Sequence, residues 1–366
     1  MTRSFGAMLL VICVAALGFP AGFARAAPAK IKIDNGWGFG NRTVTAPEND
    51  AAREDIQGFT IMVEANLFVE GGDEILDGRF HIRVRGKEQQ SAEKDTNTFA
   101  DDEAQTVRGQ VRWHLGKNLR LRVAKAGGMR VSSITENDPV QSLPCACKIG
   151  SLSDEGFVDI ELQVGAFNFS VAVSPSTPNS LTTDGLHHGI PGGGGRDADN
   201  NNQATWFMVK AKFGKLELHV KTVDAAGDQD NDIPPDNKFE FNGGASALTA
   251  HAIIFIGAGK LKLDYETGSS DLDASVPANR GATEEEVTYI GVLLEWDGLY
   301  LGYGKGTSKV GNFEAAQTNL AVHYRYAVGN GYVAPELALQ TREDLFNPSK
   351  ADEEITVIRL ILWHSF

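Results

Sequence analysis

The amino-acid sequence predicts an all-β fold, a 16-stranded antiparallel transmembrane β-barrel with short periplasmic turns and long external loops. Three observations support this prediction. Apolar and polar residues alternate with a period of two from Lys30 onward, the connections fall into a short and a long class, and charged side chains occupy one face of almost every predicted strand. We find almost no helical periodicity in this part of the sequence.

The predicted strands each have one apolar and one charged face. Phe80, Ile82 and Val84 alternate with arginine and histidine. The same pattern repeats in four further segments, 119–124, 158–164, 216–221 and 261–266. A soluble β-sandwich or multi-sheet secreted domain would also alternate and is the alternative. So many charged side chains on one face are better explained by a polar interior and an apolar face in lipid.

Short and long connections alternate along the chain. The seven short turns are expected at Glu70–Leu76, Gly116-Lys117, Gly165-Ala166, Gly214, Gly257-Ala258-Gly259, Asp297 and Val328-Gly329-Asn330. The eight long loops are expected near 41–55, 89–103, 126–155, 174–203, 223–246, 268–285, 305–316 and 342–352. Joined in this order they give sixteen strands, an even number, with both termini at the short-turn end.

Composition narrows the class of protein further. The 366 residues include 34 Lys and Arg against 48 Asp and Glu, for a formal net charge of -14. A nucleic-acid partner is not expected, because phosphate binding requires a basic face. The 3 cysteines are too few for a disulfide-stapled scaffold, and the dense apolar segments argue against intrinsic disorder.

The first 26 residues are typical of a secretory signal peptide. Arg3 precedes the apolar run Met8–Leu17, and Ala24-Arg25-Ala26 forms an A-x-A cleavage site. We predict that 1–26 is removed and that 27–366 forms the barrel, with a net charge of -16. An N-terminal anchor helix is the alternative. No later apolar run reaches the roughly 18 residues of a membrane helix.

Aromatic residues cluster at predicted strand ends, where interfacial girdles lie in membrane barrels. Those beside short turns are Trp113, Phe213, Trp296, Tyr324 and Tyr326, and those near other strand ends are Trp37, Phe68, Trp206 and Phe207. The last predicted strand ends at Phe366, with Leu362, Leu360 and Ile358 on the same face. This ending resembles the assembly signal of bacterial outer-membrane proteins.

The mature chain resembles the bacterial general (non-specific) outer-membrane porin family. The likeness rests on the signal peptide, the sixteen strands, the eight long loops and the terminal Phe366, not on a local motif. In that family the third external loop folds into the lumen opposite a cluster of arginines, and the barrels assemble as trimers. The resemblance implies that 126–155 is the constriction loop, that Glu136 and Asp138 line the pore, and that the chain is a homotrimer.

A set of arginines on one face of three neighbouring strands is the most specific feature of the sequence. The set, called the arginine wall below, comprises Arg79, Arg83, Arg85, Arg108, Arg112, Arg120 and Arg122. Facing lipid, each guanidinium would cost roughly 2–4 kcal/mol at the midplane. The wall must therefore face water or acidic groups. It either gives the pore an anion preference or balances Asp and Glu elsewhere in the lumen, and both interpretations are open.

Other clusters indicate no catalytic or metal chemistry. Three interpretations of Cys145 and Cys147 are open. The two thiols form a disulfide within the loop, they stay unpaired or pair between molecules, or they belong to a metal or redox site. The acidic loop 228–240 has partial calcium-loop spacing, but Phe239 stands where a bidentate Glu belongs, which favours a solvated loop. No catalytic set stands out. We therefore expect no enzyme activity, no metal and no cofactor.

The expected function is that of a passive outer-membrane porin, a diffusion channel for small hydrophilic solutes and ions with an anion preference. The alternatives are a solute-specific anion channel for phosphate or carboxylate and a structural or binding outer-membrane barrel. The expected partners are small hydrophilic solutes and ions, outer-membrane lipid and, through Phe366, the barrel assembly machinery. The expected location is the cell outer membrane, reached by export through the periplasm.

Overall fold

The structure, a computed structural model, describes nine segments of the chain: 27–45, 56–89, 100–101, 104–125, 156–174, 203–228, 241–272, 283–343 and 353–366. The predicted signal peptide 1–26 and the predicted loop 126–155 lie outside these segments. The described residues form strands and turns. Among them there is no helix long and apolar enough to cross a membrane.

The strands follow one another along the whole described chain. In chain order they are β1 (Ala27–Thr45), β2 (Ile56–Gly72), β3 (Leu76–Gln89), β4 (Ala100–Asp101), β5 (Ala104–His114), β6 (Leu119–Lys125), β7 (Gly156–Val164), β8 (Phe167–Ser174), β9 (Gln203–Phe213), β10 (Leu216–Asp228), β11 (Phe241–Ile256), β12 (Gly259–Leu272), β13 (Glu284–Trp296), β14 (Leu299–Val310), β15 (Phe313–Tyr324), β16 (Tyr326–Val328), β17 (Gly331–Arg342) and β18 (Glu353–Ser365).

The strands close into one antiparallel barrel. The two-residue β4 pairs with β3 just before β5, and the three-residue β16 continues β15, so the 18 elements make sixteen barrel strands. Each strand pairs with the next, and β18 pairs with β1 to close the cylinder. At this seam the backbone N–H of Phe366 donates to the carbonyl of Ile33 at 2.8 Å. The predicted 16-stranded antiparallel barrel is confirmed.

The two faces of the barrel invert the rule for soluble proteins. Large apolar side chains are exposed on the outside, whereas charged side chains are buried inside. On β18, for example, Ile358 is 60% exposed and the adjacent Arg359 is 4% exposed. This inversion is expected only where lipid rather than water covers the apolar face.

The seven predicted short turns are confirmed, and one of them is stabilised by a side chain. Between β2 and β3, the backbone N–H groups of Leu76 and Ile75 donate to the Asp73 carboxylate, each at 2.8 Å. These hydrogen bonds hold the pKa of Asp73 below its ordinary value.

The prediction of a long loop at 305–316 is wrong. Val310 pairs directly with Phe313, so Gly311 and Asn312 form a two-residue hairpin turn, with Gly311 at a φ of 59°. The segment 302–311 contains four glycines and is mostly polar from Lys305 onward, so its sequence looks like a loop rather than a strand. Gly-Asn is nevertheless a known signal for such hairpins.

Two other predicted loops are too long, because the strands on both sides include residues that were assigned to the loop. β10 and β11 extend into 223–246, and β12 and β13 extend into 268–285.

Most of the predicted girdle aromatics lie on the outer face, but two do not. Seven of the nine side chains are 37–56% exposed: Trp37, Trp113, Phe207, Phe213, Trp296, Tyr324 and Tyr326. Phe68, by contrast, stacks on His81 with ring centroids 4.2 Å apart, and Trp206 is fully buried. Both side chains belong to the inner face, where the period of two places them.

The seam between β1 and β18 depends on a close approach at Gly40. A Cβ there would lie 2.1 Å from the carbonyl oxygen of Ile358 and 2.4 Å from the Cα of Arg359. We expect Gly40→Ala to push the two strands apart and lower stability by about 1–3 kcal/mol. The measurement is the temperature at which the folded band disappears on a gel. The matched control is Gly116→Ala, because a Cβ at Gly116 meets nothing within 4 Å. Equal transition temperatures would contradict the close-approach argument.

Candidate functional site

On the inner face of β3, β5, β6 and β7, three members of the arginine wall stand opposite carboxylates. Backbone pairing places Arg112 opposite Asp77, Arg122 opposite Asp159, and Arg120 opposite Glu161. Side chains directly opposite on neighbouring strands lie about 4.5–5.5 Å apart at Cβ, so each of these three arginines has a carboxylate within reach.

Arg122 is the most enclosed of the wall residues whose side chains the structure describes. Its Nε donates to Asp159 Oδ1 at 2.9 Å, and its Nη2 also contacts Oδ2 of the same carboxylate. Gln110 accepts from Nη1 at 3.5 Å, and the guanidinium carbon lies 5.3 Å from the centre of the Phe157 ring. Both charges of this pair are buried, so removing one partner alone would cost about 3–5 kcal/mol.

The remaining ion pairs of the wall are more accessible. Asp77 accepts from Arg112 Nε and contacts His114 Nε2, both at 2.6 Å. Glu161 reaches Arg120 Nε at 3.4 Å and Arg122 Nη2 at 3.6 Å.

At the short-turn end, Arg79 Nε lies 3.1 Å from Glu70 and stacks 4.7 Å from the Phe68 ring centre. Four members of the wall, Arg79, Arg112, Arg120 and Arg122, therefore have carboxylate partners on the same wall.

The structure places the other predicted site residues only in part. Arg108 is half-buried on β5, and its backbone partner is His81. Arg83 and Arg85 belong to β3, opposite Thr106 and Ala104, but their side chains lie outside the described part of the structure. Glu136 and Asp138 also lie outside the described residues, so their position on the inner face stays a prediction.

A second basic region on the inner face was missed in the sequence. It consists of five lysines on β9, β10 and β12: Lys210, Lys212, Lys221, Lys260 and Lys262. Lys260 and Lys262 both contact Glu295, at 2.7 and 2.8 Å, and Lys212 contacts Glu217. The same alternation that revealed the arginines contains these lysines, but they are spread over separate hairpins and do not stand out as a cluster.

Two further clusters of polar side chains lie on the inner face. On β11 and β12, His251 Nδ1 contacts Asp264, and the His219 ring lies 5.5 Å from the His251 ring. On β17 and β18, Glu336 accepts from Arg359 Nε at 2.9 Å. The inner face is thus a lattice of paired charges rather than a uniform basic surface.

Accessibility falls from the short-turn mouth toward the middle of the barrel. Lys212 and Lys32, near the mouth, keep 66% and 59% of their side-chain surface. His251 and Arg359, deeper inside, keep 0% and 1%. The charges near this mouth are therefore open to solvent, whereas the deeper ones are enclosed by their neighbours. No group of three His, Cys, Asp or Glu in the described segments is arranged to hold a metal ion.

The barrel is similar to solved porin structures. A refined porin structure has 13% identity and a TM-score of 0.51, covering 92% of this chain and 100% of that chain. The OmpF of Salmonella typhi in complex with daunomycin has 12% identity and a TM-score of 0.53, covering 92% and 97%. A variant of the Rh. blastica porin has 10% identity and a TM-score of 0.50, covering 91% and 100%. At these identities the likeness establishes a shared fold. No family model and no curated protein sequence matches the chain.

Proposed function

We propose that the chain is a passive outer-membrane porin, a diffusion channel for small hydrophilic solutes and ions. The observation that carries the proposal is the inverted, closed 16-stranded barrel: its outer face is apolar and its inner face holds ionisable side chains. A barrel of this size can enclose an aqueous path, and charges on its inner wall act on whatever passes. The shared fold with solved porins supports the same conclusion.

The location and partners follow from this proposal. The protein spans the outer membrane after export, with 1–26 as its signal peptide, and outer-membrane lipid covers the exposed apolar face. Phe366 is 70% exposed at the end of the closing strand, where it is available to the barrel assembly machinery. A homotrimer and the role of 126–155 as a constriction loop are further parts of the proposal, and both come from the family resemblance.

We also propose an anion preference, which is finer than the channel function itself. Arg79, Arg112 and Arg120 keep between 32% and 45% of their side-chain surface, and they lie toward the short-turn end of the barrel, which is the periplasmic end in this proposal. Low-dielectric walls focus the field of such groups on passing ions. Their paired carboxylates reduce this field, so the expected preference is weak.

Planar-bilayer recording tests the channel function. We expect the purified mature chain to produce discrete conductance steps in KCl, and we expect a salt gradient to give a reversal potential of modest size on the anion side. The control is the same preparation after boiling, which destroys the barrel. A well-folded protein that never raises bilayer conductance would contradict the channel and favour a structural or binding barrel.

A further inference from the structure

We infer that Asp77, Asp159 and Glu161 determine the ion selectivity of the channel by cancelling the charge of the arginines opposite them. The inference rests on the proposed channel function and identifies which residues of the inner wall regulate it. These three residues are called the carboxylate clamp below.

The clamp is built into the barrel by strand pairing. Each of its carboxylates stands directly opposite its arginine on the neighbouring strand, in the pairs Asp77–Arg112, Asp159–Arg122 and Glu161–Arg120. Three carboxylates and three guanidinium groups carry no net charge together. A paired charge acts at a distance as a dipole, whose field falls off faster than that of a single charge. The middle of the arginine wall therefore attracts anions far less than its arginines alone would.

Solvent access shows which clamp residue is best suited to a test. Asp159 is 0% accessible and holds the buried Arg122, so its loss threatens folding. Glu161 is 15% accessible, and its partner Arg120 is 32% accessible. If Glu161 loses its charge, Arg122 still keeps Asp159, and the charge that is released belongs to Arg120, which can reach water. The substitution Glu161→Gln therefore leaves Arg122 paired, and the half-buried Lys210, which also lies in the field of Glu161, keeps Asp159 and Glu217 as its remaining acidic neighbours.

The experiment measures the reversal potential of single variants and a double variant in a KCl gradient. We expect Glu161→Gln to raise the chloride-to-potassium permeability ratio roughly twofold or more, at similar conductance. Arg120→Gln should shift the ratio in the opposite direction, and the double variant should return close to wild type. The charge-conserving Glu161→Asp should stay near wild type, which a purely structural role of the longer side chain would not predict.

A matched control lies on the outer face. Glu286, 3.5 Å from Lys309, is 60% accessible on the outward side of β13, so Glu286→Gln removes the same charge outside the lumen and should leave the ratio unchanged. If Glu161→Gln folds poorly, Asp77→Asn tests the same point through Arg112. Two results in a conducting protein would overturn the inference and leave the channel function intact. In the first, the clamp substitutions do not change the chloride-to-potassium permeability ratio; in the second, the ratio of the double variant does not return to the wild-type value. A folded wild type that does not conduct overturns the proposed function and the inference with it.

Discussion

Purified from membranes, the mature chain should dissolve only in detergent, show a β-rich circular dichroism spectrum and migrate on an unheated gel as a compact band that shifts on boiling. The strands pair around a complete circle, so no sheet edge is left open. Detergent is needed because the outer face carries exposed residues such as Ile31 at 67% and Ile290 at 54%.

The boiled sample is the internal control for this result, since it has the same mass without the barrel. Recovery of the chain as a detergent-free soluble monomer would contradict the membrane setting. A soluble monomer would also imply that water covers the apolar outer face, which the hydrophobic effect strongly opposes.

The period of two is why so much of the barrel could be predicted from the sequence. It fixes which residues share a face, and in short hairpins the turn also fixes the register. His251 and Asp264, for example, stand equally far from the turn at Gly257-Ala258, and they are paired in the structure. Lys212 and Glu217 are placed in the same way by the turn at Gly214. These contacts could have been derived from residue counting alone.

The carboxylate partners of Arg112, Arg120 and Arg122 could not be derived in this way. Asp77 and Arg112 are on strands joined through 90–103, and Arg120 and Glu161 are on strands joined through 126–155. A long connection leaves the register between its two strands undetermined, because a shift by two residues keeps every side chain on its face. The sequence therefore predicts an arginine-rich face, whereas the pairing of its charges requires the structure.

The prediction for 305–316 was wrong for a different physical reason. On the outer face of β14, apolar Leu301 and Tyr303 give way to Lys305 and Lys309 toward the hairpin. Such a change is expected where a strand leaves the hydrocarbon region and enters the head-group region. In the sequence it is indistinguishable from the start of a loop.

The largest change in selectivity is expected from the combined substitution Arg83→Gln, Arg112→Gln and Arg120→Gln. It removes three positive charges from the wall and leaves Asp77 and Glu161 with only their weaker partners. Asp77 would keep His114 at 2.6 Å, and Glu161 would keep Arg122 at 3.6 Å. We expect the potassium-to-chloride permeability ratio to rise by roughly threefold or more, measured as the reversal potential in a KCl gradient.

The control for this variant removes the same charge from positions outside the lumen. Lys117 lies in a short turn, and Lys305 and Lys309 lie on the outer face, so changing all three to Gln alters the net charge equally. Charges there are screened within about 8 Å at physiological ionic strength, so this control should conduct like wild type. Equal shifts in both variants would show that net charge rather than placement controls the current. A strongly cation-selective wild type that the arginine substitutions do not change would show that these arginines are fully neutralised.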